Sequence, residues 1–322
     1  MPIVAVTDYT FPDLAIERSI LAPHGIEVVA SMERLQPAGT AGLVRDADAV
    51  ITQFAIVNGS VIDAMGKAKA IVRYGIGYDN VDVAAARARG IPVCNIPDYC
   101  VDEVADHTLA FILAITRQVV ANSRHVHEGR WGLACPLASM QALRNLAVGL
   151  VGFGRIGREV ARRLIAFRAR VLVFDPAVPP EAISATGAFP VASLDELLSQ
   201  SDVVSPHCPS LPSTRRMFNA STFARMKAGA VFVNVGRGDL ADGDALARAL
   251  ESGQVAAAAL DVFDPEPIPA GHPILGMPNV ILASHVASAS PGAVRTLRET
   301  AARIALMAIR GEPLPNVVNT HA

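Results

Sequence analysis

The chain has 322 residues, more than a single hydrophobic core usually accommodates, so two domains are expected. Hydrophobic residues make up 51% and charged residues 18%, which excludes a disordered chain and fits well-buried elements. With 28 basic against 30 acidic side chains the net charge is -2, and no basic stripe stands out, so the expected partner is a small molecule rather than nucleic acid or an anionic membrane.

Short runs rich in Val and Ile alternate with segments of helical period, the pattern of parallel sheets covered by helices. A first series predicts strands at 3–7, 27–30, 49–52, 70–74 and 93–95, with helices such as 13–21 and 83–89, the latter closed by Gly90. Residues 101–120 place Val101, Val104, Ala105, Leu109, Ile112 and Leu113 on one broad face behind acidic residues, predicting one long helix that buries itself in the domain core or against a second subunit. Residues 129–145, with the only Trp, predict an irregular loop wrapping a neighbouring domain or subunit, so a homodimer is the expected assembly. A second series predicts strands at 147–151, 170–175, 203–206, 230–234, 256–261 and 280–283. The last helix, 293–309, precedes a polar tail expected to return to the first domain.

The four cysteines, Cys94, Cys100, Cys135 and Cys208, form no C-x-x-C pair or zinc-site spacing, so reduced thiols and no metal site are expected. Residues 1–8 lack the basic and apolar regions of a signal peptide, and the longest apolar stretch, 109–115, is far shorter than the roughly 20 residues of a membrane helix. A cytoplasmic location is the expectation.

Directly after the predicted strand 147–151 comes Gly152-Phe153-Gly154-Arg155-Ile156-Gly157, a G-x-G-x-x-G run in the strand-turn-helix context it requires. Gly152 permits the tight turn, Gly154 lets the backbone approach a pyrophosphate, and Gly157 allows helix and strand to pack closely. Asp175, 18 residues beyond Gly157 at the next strand's end, suits the adenosine ribose hydroxyls and predicts NAD.

Several further motifs occur in order: Ile71-Val72-Arg73-Tyr74-Gly75-Ile76-Gly77-Tyr78-Asp79-Asn80-Val81-Asp82, the stretch 206–214, Asn234-Val235-Gly236-Arg237-Gly238, Ala259-Leu260-Asp261-Val262-Phe263, Asp264-Pro265-Glu266-Pro267 and Ser284-His285-Val286-Ala287-Ser288. With the glycine fingerprint they make nearly the whole chain resemble the D-isomer-specific 2-hydroxyacid dehydrogenases, in the branch of phosphoglycerate dehydrogenases and C-terminal-binding proteins. The resemblance implies an NAD-dependent oxidoreductase that moves a hydride between nicotinamide and C2 of a small D-2-hydroxy or 2-keto acid, of phosphoglycerate or glycerate/hydroxypyruvate type.

Such a reaction needs a proton for the carbonyl oxygen, and His285, just past a predicted strand, is a suitable donor because imidazole titrates near neutrality. Glu266, in a Pro-rich loop, resembles the family's acidic partner, which orients that imidazole. Arg237 offers a planar, permanently charged fork for a substrate carboxylate and the reacting carbonyl. Asp261 resembles the acceptor for the nicotinamide amide, with capping of a loop as its other reading. By the same resemblance Arg155 and Ile156 contact the pyrophosphate, Cys208, Pro209 and Thr214 line the adenine and ribose side, and Val235 supports the nicotinamide.

Gly75, Ile76 and Gly77 predict a turn whose amides hold a carboxylate, with Arg73 as a second substrate anchor. Ser288 replaces the Trp of C-terminal-binding proteins, and Asp239 and Gly243 depart from the residues usual after the Arg turn. No regulatory domain is expected after the catalytic region. The expected architecture is two Rossmann-like or flavodoxin-like α/β domains, 1–97 plus 290–322 for substrate and 98–289 for NAD, with the active site in the cleft between them. The alternatives are an NADH-sensing corepressor of the C-terminal-binding type, and a phosphite or formate dehydrogenase.

Overall fold

Runs of Val, Ile and Ala with few polar residues are what strands covered on both faces require, and this chain uses them for two parallel sheets. A computed structural model describes residues 1–320. The chain divides into two units, Met1–Tyr99 with Ser290–Ala322, and Cys100–Ala289.

In chain order the first unit contains β1 (Ile3–Val6), α1 (Ala15–Leu21), β2 (Glu27–Ala30), α2 (Pro37–Val44), β3 (Ala49–Thr52), α3 (Gly59–Ala64), β4 (Ile71–Arg73), α4 (Val83–Ala88) and β5 (Val93–Cys94). The second holds α5 (Val101–Thr116), α6 (Val119–His127), β6 (Ala147–Val151), α7 (Arg155–Ala166), β7 (Arg170–Phe174), α8 (Pro180–Ser184) and β8 (Phe189–Pro190). It continues with α9 (Leu194–Gln200), β9 (Val203–Pro206), α10 (Ala220–Arg225), β10 (Ala230–Asn234), α11 (Gly243–Glu251), β11 (Val255–Leu260) and β12 (Val280–Leu282). The last helix, α12 (Pro291–Arg310), belongs to the first unit again.

The first unit's sheet runs β2-β1-β3-β4-β5 with every neighbouring pair parallel. Leu297, Ala301, Ile304 and Ala305 of α12 bury against Val4, Leu21 and Ile51, so the returning chain end is part of this core. An ion pair is buried with them. Fully enclosed Glu17 on α1 accepts from Arg298 Nε at 2.8 Å and Nη2 at 2.7 Å, and from the Tyr74 hydroxyl at 2.8 Å. Burial, then the Glu17 charge, raises the Tyr74 phenol well above its ordinary value. Deleting one member would strand the other charge at a cost of about 3–5 kcal/mol, so the network ties α1 and α12 to the residue before Gly75. The polar tail pairs with β5, Val318 donating to the Val93 carbonyl at 2.8 Å.

The second unit's sheet runs β12-β11-β10-β9-β6-β7-β8, all parallel. Phe218, Phe223 and Phe232 pack ring on ring in its core, with Phe223 meeting Phe232 edge-on at 5.4 Å. The helix expected over 101–120 stops earlier, at Thr116. There the Gln141 amide takes the Thr116 carbonyl at 2.8 Å, Gln118 turns left-handed at φ 53, and the axis bends by 62° into α6. The apolar face does not continue inward, since Val119, Val120 and Val126 stay exposed. Among the described residues no single helix is long and apolar enough to cross a membrane.

Candidate active site

In a parallel α/β sheet the loops after the strands collect at one edge, which is where ligands gather. After β6, Gly152 takes φ 103, and a Cβ there would stand 2.7 Å from the Cys208 amide nitrogen. A Cβ on Gly157 would approach the Gly152 carbonyl oxygen to 2.4 Å, so α7 can come this near to β6 only without a side chain. Gly154 has no atom within 4 Å of its Cβ position and faces open space. Asp175, just past β7, accepts from the Phe153 amide at 2.7 Å and the Ala177 amide at 2.8 Å, thereby fastening the glycine turn to the next strand.

Arg155 and Ile156 stand in the first turn of α7, where helix amides lack internal acceptors. Cys208 is partly buried on the core beside Met217, and burial raises its thiol to about 11. The Thr214 hydroxyl donates to the Pro209 carbonyl at 2.6 Å and accepts from the Leu211 amide at 2.8 Å, shaping the loop that carries both residues. Val235 is buried at the end of β10.

Three further loops converge around Glu266. Asn234 shapes the Arg237 turn from both sides, donating to the Arg237 carbonyl at 2.8 Å and accepting from the Gly236 amide at 3.0 Å. Gly238 then packs so tightly that a Cβ would stand 2.0 Å from the Phe263 carbonyl atoms, which brings this turn onto the loop leading to Glu266. Glu266 Oε1 accepts from the Phe263 amide at 3.0 Å, and Oε2 meets His285 Nδ1 at 2.8 Å. Burial pushes the Glu266 carboxyl up, but the His285 hydrogen bond and charge, the Phe263 amide and the Arg237 charge outweigh it and hold the pKa below its ordinary value. An ionised carboxylate only accepts, so Nδ1 carries the hydrogen toward Glu266.

His285 itself has φ 59, a left-handed backbone that costs a side-chain-bearing residue on the order of 1 kcal/mol. Asp261, fully buried, holds it there. Its carbonyl accepts from the His285 amide at 2.7 Å, and its carboxylate oxygens accept from the Val286 and Ala287 amides, each at 2.8 Å. The capping reading of Asp261 is therefore visible, and each oxygen keeps a second lone pair for another donor. His285 and Glu266 side chains each retain 27% exposure, enough for a small molecule to reach them.

In the first unit, buried Arg73 ends β4 and lies against Gly75, where a Cβ would stand 1.5 Å from Nη1. Gly75 has φ 145, and its own amide donates to the Arg73 carbonyl at 2.8 Å, which closes the turn that Ile76 and Gly77 continue.

Two positioning residues escape motif reading. Asn234 follows the rule that Asn before Gly turns the chain by bonding its own backbone, a signal present in Asn234-Val235-Gly236. Asp239 accepts from Ser210 Oγ at 2.6 Å and Arg215 Nε at 3.0 Å, joining the Arg237 turn to the 208–216 loop. No local pattern announces that contact across the sheet edge.

The open approach at Gly154, the amides of α7 and the carboxylate of Asp175 fit the pyrophosphate and ribose of an adenine dinucleotide. A half-buried carboxylate–imidazole pair beside a guanidinium fits proton transfer at a carbonyl. Together they define the class of nucleotide-dependent α/β oxidoreductases. Residues 109–287 match the model of the D-isomer specific 2-hydroxyacid dehydrogenase NAD binding domain. A glyoxylate reductase of Thermofilum pendens is 36% identical over 86% of this chain and 82% of its own. A D-3-phosphoglycerate dehydrogenase of Mycobacterium tuberculosis is 37% identical over 86% of this chain, which spans 52% of that longer protein. A crystal structure of a Thermus thermophilus protein aligns with a TM-score of 0.86 and 35% identity, covering 98% of this chain and 99% of that one. The chain belongs to the D-isomer specific 2-hydroxyacid dehydrogenase family and is an NAD-dependent oxidoreductase.

Proposed function

We propose that the chain interconverts small D-2-hydroxy acids and 2-keto acids of the glycerate/hydroxypyruvate or phosphoglycerate type, with His285, Glu266 and Arg237 carrying the chemistry. The observation that carries this reading is the 2.8 Å contact between His285 Nδ1 and an ionised Glu266. It leaves Nε2 to give a proton to the substrate oxygen on reduction and to take it back on oxidation. Nicotinamide, when bound, supplies the hydride that reaches C2. Arg237 pairs with the substrate carboxylate and draws electron density from the carbonyl, which makes C2 a better hydride acceptor. Glu266 keeps the imidazole oriented and stabilises its charge, while Asp261 holds the backbone from which the ring projects.

For the cofactor we assign Gly152, Gly154, Arg155, Ile156 and Gly157 to the pyrophosphate, Asp175 to the adenosine ribose, and Cys208, Pro209 and Thr214 to the adenine side. Val235 and Asp261 face the nicotinamide in this reading. Arg73 with the Gly75–Gly77 turn supplies a further substrate anchor. A cytoplasmic setting suits the four free cysteines. A homodimer suits the exposure of Trp131 at 92% and Leu137 at 72%, apolar surface that a second copy would cover.

The test is NADH oxidation by the purified chain across glyoxylate, hydroxypyruvate, 3-phosphohydroxypyruvate and pyruvate, with NAD reduction by phosphite and formate alongside. Turnover of 2-keto acids supports the reading. NADH binding without turnover, or activity confined to phosphite or formate, overturns it.

A further inference from the structure

The first unit holds a second cation, close to Arg73, that the reaction as described does not use. Its placement begins with Asp8, which is 3% exposed just past β1. Asp8 accepts from the Phe54 amide at 2.7 Å, the Gln53 amide at 3.0 Å and the Thr7 hydroxyl at 2.8 Å, so its carboxylate is spent in fixing the loop after β3. Phe54 is thereby set on the strand-end edge of the sheet, half-buried. Two guanidinium carbons lie over its ring, that of Arg73 at 5.9 Å from the centroid and that of exposed Arg34, from the loop after β2, at 5.1 Å.

The two positive charges are thus no farther apart than those two distances laid end to end. The aromatic face shields each guanidinium from water on one side, which strengthens its pull on an anion. Arg73 also touches Gly75, so the glycine turn, Arg73, the Phe54 ring and Arg34 form one continuous run of neighbours. With their guanidinium carbons at most about 11 Å apart, the two arginines are within reach of one small molecule that carries an anionic group at each end of a three- or four-atom chain. Glyoxylate and pyruvate have nothing charged to put there.

We propose that Arg34 is a specificity-determining residue that, with Arg73 on the same Phe54 ring, selects 2-keto acids bearing a second anionic group, a carboxylate or a phosphate, over monoanions. This rests on the reading of the Gly75–Gly77 turn as substrate-facing. Arg34 stands in an exposed loop, and its replacement leaves the core untouched.

The experiment compares wild type with Arg34→Gln and Arg34→Lys, measuring kcat/KM for oxaloacetate and 3-phosphohydroxypyruvate against glyoxylate and pyruvate. The ratio of dianion to monoanion should fall about tenfold in Arg34→Gln, as expected for one lost charge-assisted contact, chiefly through KM, with glyoxylate turnover unchanged. Arg34→Lys should recover part of it. The dianion that loses more identifies the second group as carboxylate or phosphate. A parallel thermal-shift titration of the NADH-loaded protein with tartronate and glycolate needs no turnover, and there the wild type should favour tartronate and Arg34→Gln should not. Equal loss on monoanions and dianions, or an unchanged ratio with unchanged tartronate preference, overturns the proposal. A wild type inactive on every 2-keto acid but still favouring tartronate through Arg34 would refute the proposed reaction and leave the anion site standing.

Discussion

His285 is held in a left-handed conformation by three main-chain hydrogen bonds to Asp261, and its ring is oriented by Glu266. The two acids thus divide the work, one on the backbone and one on the imidazole. Because the folded Glu266 pKa is depressed, the interaction is fully present above the usual carboxylate range and is lost as pH falls through the lowered value. Glu266→Gln should cut kcat by roughly two orders of magnitude while leaving the Kd for NADH within about twofold, and it should remove this acid limb from the kcat profile. A variant with wild-type kcat and an unchanged acid limb would remove Glu266 from the mechanism. The placement of Arg237, Glu266 and His285 in loops that follow strands was legible, because each stands beyond a run rich in Val, Ile, Leu or Ala. What Asp261 does to the His285 backbone was not, since residue order says nothing about which amides a buried carboxylate will meet.

Among the elements, the loops after β10 and β11 carry Arg237 and Glu266, and they meet at Gly238. A methyl group there would collide with main chain rather than with a flexible side chain. Gly238→Ala should therefore lower stability by about 1–3 kcal/mol, the usual cost of overpacking, and should reduce kcat/KM more than it weakens NADH binding, because the Arg237 turn must move. Equal melting temperature and equal kcat/KM would show that the turn has slack. Strands 27–30, 49–52, 147–151, 203–206 and 230–234 were legible to the residue, each a short run rich in Val, Ile or Ala between segments of helical or loop character. Asp175 and Asp261 drop out of their strands by one position because their side chains turn to loop amides instead of extending the ladder. The break after Thr116 was hidden, since no Gly or Pro marks it and the cause, the Gln141 amide, lies in a distant loop. Two-residue β8 ends in a proline at the sheet edge, too short for an alternating pattern to register.

At the scale of the whole molecule, alternation of strand and helix foretold two parallel sheets, and the family follows from the matched model and relatives. Assembly belongs to the same scale, because exposed Trp131 and Leu137 mark the apolar surface that a second copy would cover in the proposed dimer. Sedimentation should give twice the chain mass for the wild type and the chain mass for Trp131→Glu with Leu137→Glu. A wild-type monomer would end the dimer proposal. The proton exchange proposed for His285 is read out by NADH oxidation with the best 2-keto acid, compared between wild type and His285→Ala. His285→Ala should lose kcat about 10²–10⁴-fold with NADH affinity preserved; wild-type turnover in that variant would rule His285 out as the proton donor.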